Sequence, residues 1–532
     1  MAPAADPAPA VDPVRVADVG AGLSVGARRP SRRDGYATLE AVDLAPRAEP
    51  LRRSAFDPDE LAAIVGGRLV LRGRRPIRGA AVDSRLVTPG RLFVALPGER
   101  TDGHRFLGEA LARGAAALLV RADWPLAPTD LEAAAAASAT ICAVPETLPA
   151  LHALAAAWRR RFEPVVVGVT GSIAKTSTKE AIATVLARRF RTLKNPGNLN
   201  NEIGLPLTVL DLDAEHEVAV LEMGMYVGGE IADLARIARP RLGVVTAVQE
   251  VHLSRIGSLD AIEAAKAELV EALPPAAEGG LAILNADDER VARMRKRTAA
   301  AIRTYGFAPE ADVTARAVRP LGFEGMAFEL VVDGLAAPVR LPVLGRLGVH
   351  NALAAAAVAS ALGLEIDEIA AGLAGGWSVE HRGTIVRAGG VALVDDAYNA
   401  SPGSVRAALD LLAGLPGRRI AVLGEMLELG PAHDRGHRSV GVAAAAVVDH
   451  LVVVGDGARG ITEGALAAGL SPERLTTVAD REAARSVLLD LLRPGDVVLV
   501  KASRGIALDA LVAELAAALA GPGSEDPAGG RR

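Results

Sequence analysis

An α/β fold built from mainly parallel sheets and divided into three domains is predicted by three features of the chain. Short apolar runs alternate with helical stretches, first from about residue 146 and again from about 377. Polar clusters close many of the apolar runs, at the strand ends where open parallel sheets bind ligands. The length, 532 residues, exceeds what one core organises and suggests about three domains of roughly 150 residues each.

The elements follow in order. Residues 1–54 are rich in Ala, Pro and Arg and are expected to form a disordered extension. Residues 55–145, with "AAVDSRLVTPGRLFVALPGERTDGHRFLGEALARGAAALLV", read as a small mixed α/β domain. Residues 146–376 form the central domain. There "PVVVGVTG" is a buried strand, and "TSTKEAIATVLARRF" is a helix with Ile182, Val185 and Leu186 on one side. "EVAVLEMGM", "RLGVVTAV" and "GLAILNADD" are further strands. Residues 377–520 repeat the alternation with "GVALVDDAY", "RRIAVLGEM", "DHLVVVGDG" and "DVVLVKAS" as strands, and "SVRAALDLLAGL" and "REAARSVLLDLL" as helices. Strands interleaved with helices imply parallel sheets with right-handed crossovers. Residues 521–532, "GPGSEDPAGGRR", read as a flexible tail.

Composition excludes several classes. The net charge is −5 and aromatics make up 3% of residues, which argues against a nucleic-acid partner. The single cysteine, Cys142, permits no internal disulfide, fits a reducing compartment, and reads as a small buried apolar residue. The longest apolar stretches, such as "NALAAAAVASALGLEIDEIAAGLAGG", are broken by Glu365 and Asp367, so no membrane span is expected. The N-terminus lacks the basic start and apolar core of a secretory signal. A cytoplasmic monomer is the expectation.

The chemistry centres on "GVTGSIAKTSTKE", residues 168–180. A strand, a glycine-bearing turn and a helix start are the setting of a phosphate-binding loop, whose backbone N–H groups face the phosphates. Lys175 would reach the β- and γ-phosphates, and the Thr176 hydroxyl would bind Mg²⁺. The pattern G-x-x-x-x-G-K-[ST] fails at Val169 and Ala174, so an ordinary turn with a solvated lysine stands beside the ATP-site reading. Glu222 ends a neighbouring strand, where an acid can hold Mg²⁺ or simply meet water. His252 follows another strand end. "KNPGNLNNEIG" gathers Asn195, Asn198, Asn200 and Asn201, either as a polar turn or as one wall of a cleft. "GDGARG", residues 455–460, matches the dinucleotide fingerprint but follows the third strand of its block, which favours a structural turn.

Taken together and in order, these residues resemble the Mur ligase family over roughly residues 56–515. "TGSIAKTSTKE" resembles the family's T-G-[ST]-x-G-K-T loop. "GNLNNEIGLPLT", "DDAYNASPGS", "VLGEMLELG" and "VKASRG" resemble motifs of the branch that handles D-Ala-D-Ala, and "DSR" with "DGHRF" its UDP-sugar-facing domain. The resemblance implies an N-terminal substrate domain, a central ATPase domain and a Rossmann-like C-terminal domain. It implies ATP-dependent joining of D-Ala-D-Ala to a UDP-linked muramoyl tripeptide through an acyl phosphate, with Mg²⁺.

By motif position it implies that Thr170, Gly171, Ser172, Ile173, Ala174, Lys175, Thr176 and Ser177 cradle the nucleotide. Asn285 would contact adenine, and Arg382 and Asp396 would reach the nucleotide between domains. Thr176, Glu222 and His252 are the implied Mg²⁺ set, with Lys175 and His252 at the reaction. Lys266, in "EAAKAELVEAL", resembles the position of a carbamylated lysine, against the plainer reading of a solvated helical lysine. Ser84, Asp102 and His104 are implied at the UDP-sugar end, although Asp102-Gly103 also suits a plain turn. Asn198, Asn200, Asn201, Tyr398, Asn399, Lys501, Ser503 and Arg504 are implied on the substrate side.

Three departures stand out: Ala174 for the loop glycine, Leu347-Gly348 for the usual His-Asn, and Ser401 for an asparagine. A paralogous amide ligase of the same fold and a non-catalytic relative are the competing readings. The presence of Lys175 and Glu222 argues against the second, and the "DSR…DGHRF" block favours a UDP-sugar substrate.

Overall fold

Apolar runs that are buried on both faces can only be central strands of a covered parallel sheet, and the computed structural model of the chain places them there. It describes residues 54–98, 101–251 and 253–520. His252, the expected tail and all of the expected extension except Ser54 lie outside the described residues.

Three sheets follow one another along the chain. The first has five strands in the spatial order Arg68–Leu71, Thr140–Val144, Ala117–Arg121, Leu92–Val94, Ala80–Ala81; only Arg68–Leu71 runs antiparallel to its neighbour. Cys142 is buried on its second strand, where burial pushes the thiol up to about 11.

The second sheet has nine strands. Its parallel part runs Thr192–Lys194, Val218–Glu222, Val165–Thr170, Leu242–Val245, Leu281–Asn285, Ala301–Tyr305. All six residues of Val165–Thr170 are buried. An antiparallel meander, Val313–Pro320, Met326–Val332 and Leu335–Leu341, extends it beyond Ala301–Tyr305. The meander's second hairpin turns at Asp333-Gly334, both at positive φ (50° and 84°), the geometry that an Asp-Gly hairpin turn requires. After it comes the helix Gly345–Ala361, whose alanine-rich buried face favours helix and lets it pack closely on the helix Lys175–Leu186.

The third sheet has six strands, in the order Thr384–Ala388, Val391–Asp395, Asp496–Lys501, Arg418–Gly424, His450–Val454, Leu475–Val478. All pairs are parallel except the edge strand Thr384–Ala388. Gly455 of "GDGARG" takes φ +87°, and the other two glycines stand against close neighbours. A Cβ at Gly457 would fall 2.1 Å from a Glu425 carboxylate oxygen, and one at Gly460 would fall 2.8 Å from His437 Cβ.

Candidate active site

The strand Val165–Thr170 ends in the middle of the second sheet, and the chain turns there into the helix Lys175–Leu186. Gly171 takes φ +145° and Ala174 sits in the left-handed region at φ 64°, ψ 1°. The turn is tethered from below. Ser172 donates its N–H to the Ala247 carbonyl at 2.8 Å, and the Thr246 hydroxyl donates to the Ile173 carbonyl at 2.6 Å. No side chain caps the helix start at Ala174, so its first N–H groups stay available to an anion. Lys175 Nζ folds back onto the loop, donating to the carbonyls of Gly171 (2.9 Å) and Ser172 (3.4 Å).

This loop opens into a cleft of about 710 Å³. The second sheet's unit supplies Ser172 to Ser177, Asn198, Asn200, Asn201 and Glu222; the third supplies Arg382, Asp396, Tyr398, Asn399 and Lys501. Leu347, Gly348 and Asn351, from the helix Gly345–Ala361, line it as well. Residues 55–145 contribute nothing to this lining among the described residues.

Glu222, 1% exposed, is gripped from both ends. The Asn195 side-chain amide accepts from the Glu222 N–H (2.9 Å) and donates to its carbonyl (3.2 Å). Asn200 Nδ2 donates to Glu222 Oε1 at 2.6 Å. The other carboxylate oxygen, Oε2, is buried without a partner. Such an oxygen is costly unless something positive meets it. Glu222 lines the same cleft as Thr176, and its free oxygen suits Mg²⁺, which takes few protein carboxylates and completes its shell with phosphate and water. Among the described residues no cluster of three or more His, Cys, Asp or Glu forms.

Lys266 lies on the helix Leu259–Glu271 and is 1% exposed, so it is not a solvated helical lysine. Burial, and then the like charge of Lys175, hold its ammonium well below the ordinary range, against the pull of Glu222, Glu268 and Glu230. Lys175 is lowered too, by burial, with Glu222 opposing and Arg382 adding to the shift.

On the third sheet's side, Lys501 Nζ is held by Asp396 Oδ2 (2.6 Å) and the Asn399 carbonyl (2.9 Å). Arg382 lies over the Tyr398 ring at 4.2 Å, and Arg504 approaches it at 5.6 Å. Ser503 is buried; its hydroxyl accepts the Leu427 N–H at 2.9 Å, which makes it a brace between loops.

Some expected residues lie outside the cleft lining. Asn285 is buried, donating to the Thr246 carbonyl (2.7 Å) and facing His350 Nε2 at 3.1 Å. Asn195 is wholly buried and acts only within the protein. Ser84 donates to Glu109 (2.8 Å); buried His104 pairs with Asp102 (2.5 Å) and accepts the Arg121 N–H (2.9 Å). Sequence reasoning missed Lys179 and Thr246. Lys179 gave a signal: it is a lysine on the same helix face as Ile182 and Leu186, which are buried.

Three family models match the chain: "Mur ligase family, catalytic domain" over residues 76–159, "Mur ligase middle domain" over 169–359 and "Mur ligase, glutamate ligase domain" over 381–504. The curated UDP-N-acetylmuramoyl-tripeptide–D-alanyl-D-alanine ligase of Mycobacterium tuberculosis is 39% identical over 502 residues, spanning 86% of this chain and 97% of that protein. A crystal structure of MurF from Acinetobacter baumannii aligns with a TM-score of 0.77 at 30% identity, covering 87% of this chain and 99% of that one. MurF ligase from Thermotoga maritima in complex with ADP aligns with a TM-score of 0.72 at 28% identity, covering 83% and 98% respectively.

Proposed function

The chain belongs to the Mur ligase family, and we propose from that premise and from the cleft that it adds D-alanyl-D-alanine to UDP-N-acetylmuramoyl-tripeptide, at the expense of ATP, in peptidoglycan precursor synthesis. The observation that carries the reading is the pairing of an uncapped loop-helix start with the unpartnered buried oxygen of Glu222 in one cleft.

A carboxylate does not acylate an amine directly, because oxide would have to leave. The tripeptide carboxylate therefore attacks the γ-phosphate of ATP and ADP departs. The D-Ala-D-Ala amine then attacks the acyl carbon, loses a proton, and expels phosphate. The protein's share is positioning and charge neutralisation. Lys175 swings from the Gly171 and Ser172 carbonyls onto the transferring phosphoryl. Residues 172–177 hold the phosphates by backbone N–H. Thr176 and Glu222, with His252, would hold Mg²⁺, which would neutralise phosphate charge.

Burial, and then the like charge of Lys175, favour the neutral amine that carbon dioxide requires at Lys266, so it is a carbamate site in this reading. Arg382 and Asp396 approach the nucleotide from the third sheet. Tyr398, Asn399 and Lys501 line the acceptor side with Asn198, Asn200 and Asn201, and Arg504 stands near by. Ser84, Asp102 and His104 shape the UDP-sugar end through the fold of their loops. The three sheet-centred units act as three domains. Use of ATP supports a cytoplasmic location, and the proposed state is a monomer.

The test is product analysis by mass spectrometry with ATP, Mg²⁺, UDP-linked tripeptide and D-Ala-D-Ala, each omitted in turn. One dipeptide added less one water, and only in the complete mixture, supports the reading. Ligation of a different amine or acid in preference would overturn it.

A further inference from the structure

We propose that Lys179 is a positioning residue that locks the phosphate-loop helix to the metal-binding carboxylate of Glu222 through the asparagine loop. This rests on the ligase reading for the role of Glu222, but its structural basis is independent of substrate.

Lys179 stands one helical turn beyond Lys175, on the same helix. Its side chain has no exposure. Nζ donates to the carbonyls of Asn195 (2.6 Å) and Gly197 (2.7 Å) and lies 3.1 Å from Glu180 Oε1. A wholly buried ammonium is kept only where its protons are met. Here two of the three acceptors are the backbone of one turn, so the charge fixes that turn to the helix.

The turn carries the grip on Glu222. The edge strand Thr192–Lys194 pairs with Val218–Glu222 as far as Lys194 opposite Val220. Past that point the Asn195 side chain takes over the ladder, bonding both the N–H and the carbonyl of Glu222. The chain can then leave the sheet and return with Asn200, whose amide holds Glu222 Oε1 and whose carbonyl accepts the Gly224 N–H at 2.8 Å. The carboxylate is thereby fixed with Oε2 free. Lys175 and Lys179 thus set two parts of one site from one rigid helix: the first faces the phosphates, and the second holds the loop that orients the metal ligand.

The test uses the full chain with Lys179→Met, which keeps the stem and removes the donors. Three readouts are taken: amide hydrogen exchange over residues 194–201 and 222–224, Mn²⁺ binding with ADP present followed by paramagnetic resonance, and ligation against free Mg²⁺. Faster exchange, Mn²⁺ affinity lowered about tenfold or more, and a Mg²⁺ requirement raised to match, with the KM for ATP at saturating Mg²⁺ within about threefold of wild type, are expected. Asn200→Ala should shift Mg²⁺ dependence in the same direction, and the double variant should fall short of the sum of the two.

A folded Lys179→Met protein with wild-type Mn²⁺ binding and Mg²⁺ dependence would overturn the proposal. If Lys179→Met does not fold, Lys179→Gln, which keeps amide N–H donors on a shorter, uncharged side chain, carries the same prediction and the same contradiction. Wild type that binds Mn²⁺·ADP yet ligates nothing would count against the ligase reading alone, since exchange and Mn²⁺ binding still judge Lys179.

Discussion

A Cβ on Gly171 would lie 1.9 Å from the Thr246 hydroxyl oxygen and 3.0 Å from the Ala247 backbone nitrogen. The Thr246 hydroxyl cannot give way cheaply, because it is buried and donates to the Ile173 carbonyl. Gly171 is therefore required by close approach, and Ala174 occupies the second special position of the loop by accepting a left-handed conformation. Gly171→Ala should displace the loop and cost about 100-fold in turnover, the scale of an ångström-sized misplacement. Wild-type turnover in that variant would contradict the loop's role.

Ala174→Gly should do the opposite. A left-handed alanine costs roughly 1–2 kcal/mol. Thermal unfolding should show the glycine variant stabilised by about 1 kcal/mol. Turnover should stay similar, with the KM for ATP unchanged or lowered by up to about tenfold, the kinetic equivalent of about 1.4 kcal/mol. A protein inactive with alanine and active only with glycine would mean that the natural loop is non-functional.

Lys266→Ala should lose most activity and regain part of it with acetate or formate, which replace a carbamate's anionic oxygens. Carbon-13 NMR with labelled bicarbonate should show a carbamate resonance in wild type that this variant lacks. Full activity without Lys266 would remove it from the chemistry.

Much of this site was legible because its parts obey local rules. "PVVVGVTG" could only be a buried strand, and the residues after it had to turn where a sheet binds ligands. Ala174 read as an anomaly, and the backbone shows why: it sits at φ 64°. The meander was missed although Asp333-Gly334 is a hairpin signal, because its alternation is muted by small residues such as Ala336 and Ala337. Lys266 could not be separated from a surface lysine by type, since its burial is made by segments distant in sequence, whereas Lys179 was betrayed only by its helix face. Ser84 and His104 stood in a recognisable motif, yet their side chains are spent on Glu109, Asp102 and Arg121. Motifs report position, not the direction in which a side chain points.

His381, at φ 57°, bonds through Nδ1 to the buried Asp395 carboxylate at 2.7 Å. Burial alone would lower its pKa, but the bond and the negative charge of Asp395 outweigh it and the folded value is raised above 6.5. A raised folded value means that the contribution to stability is full below about pH 6.5 and fades as pH rises through the folded pKa. The stability gap between wild type and His381→Gln should therefore be largest near pH 5.5 and shrink by about pH 8. A gap that widens with pH would contradict this pairing.

Phosphoryl transfer to the tripeptide carboxylate within this cleft is the step on which the proposed reaction depends. It is tested most directly by supplying UDP-linked tripeptide with both terminal carboxylate oxygens as oxygen-18 and analysing the released phosphate by mass spectrometry. One labelled oxygen in each phosphate per amide bond formed, and none in ADP, is the expected result. Unlabelled phosphate, or label appearing in AMP, would contradict it.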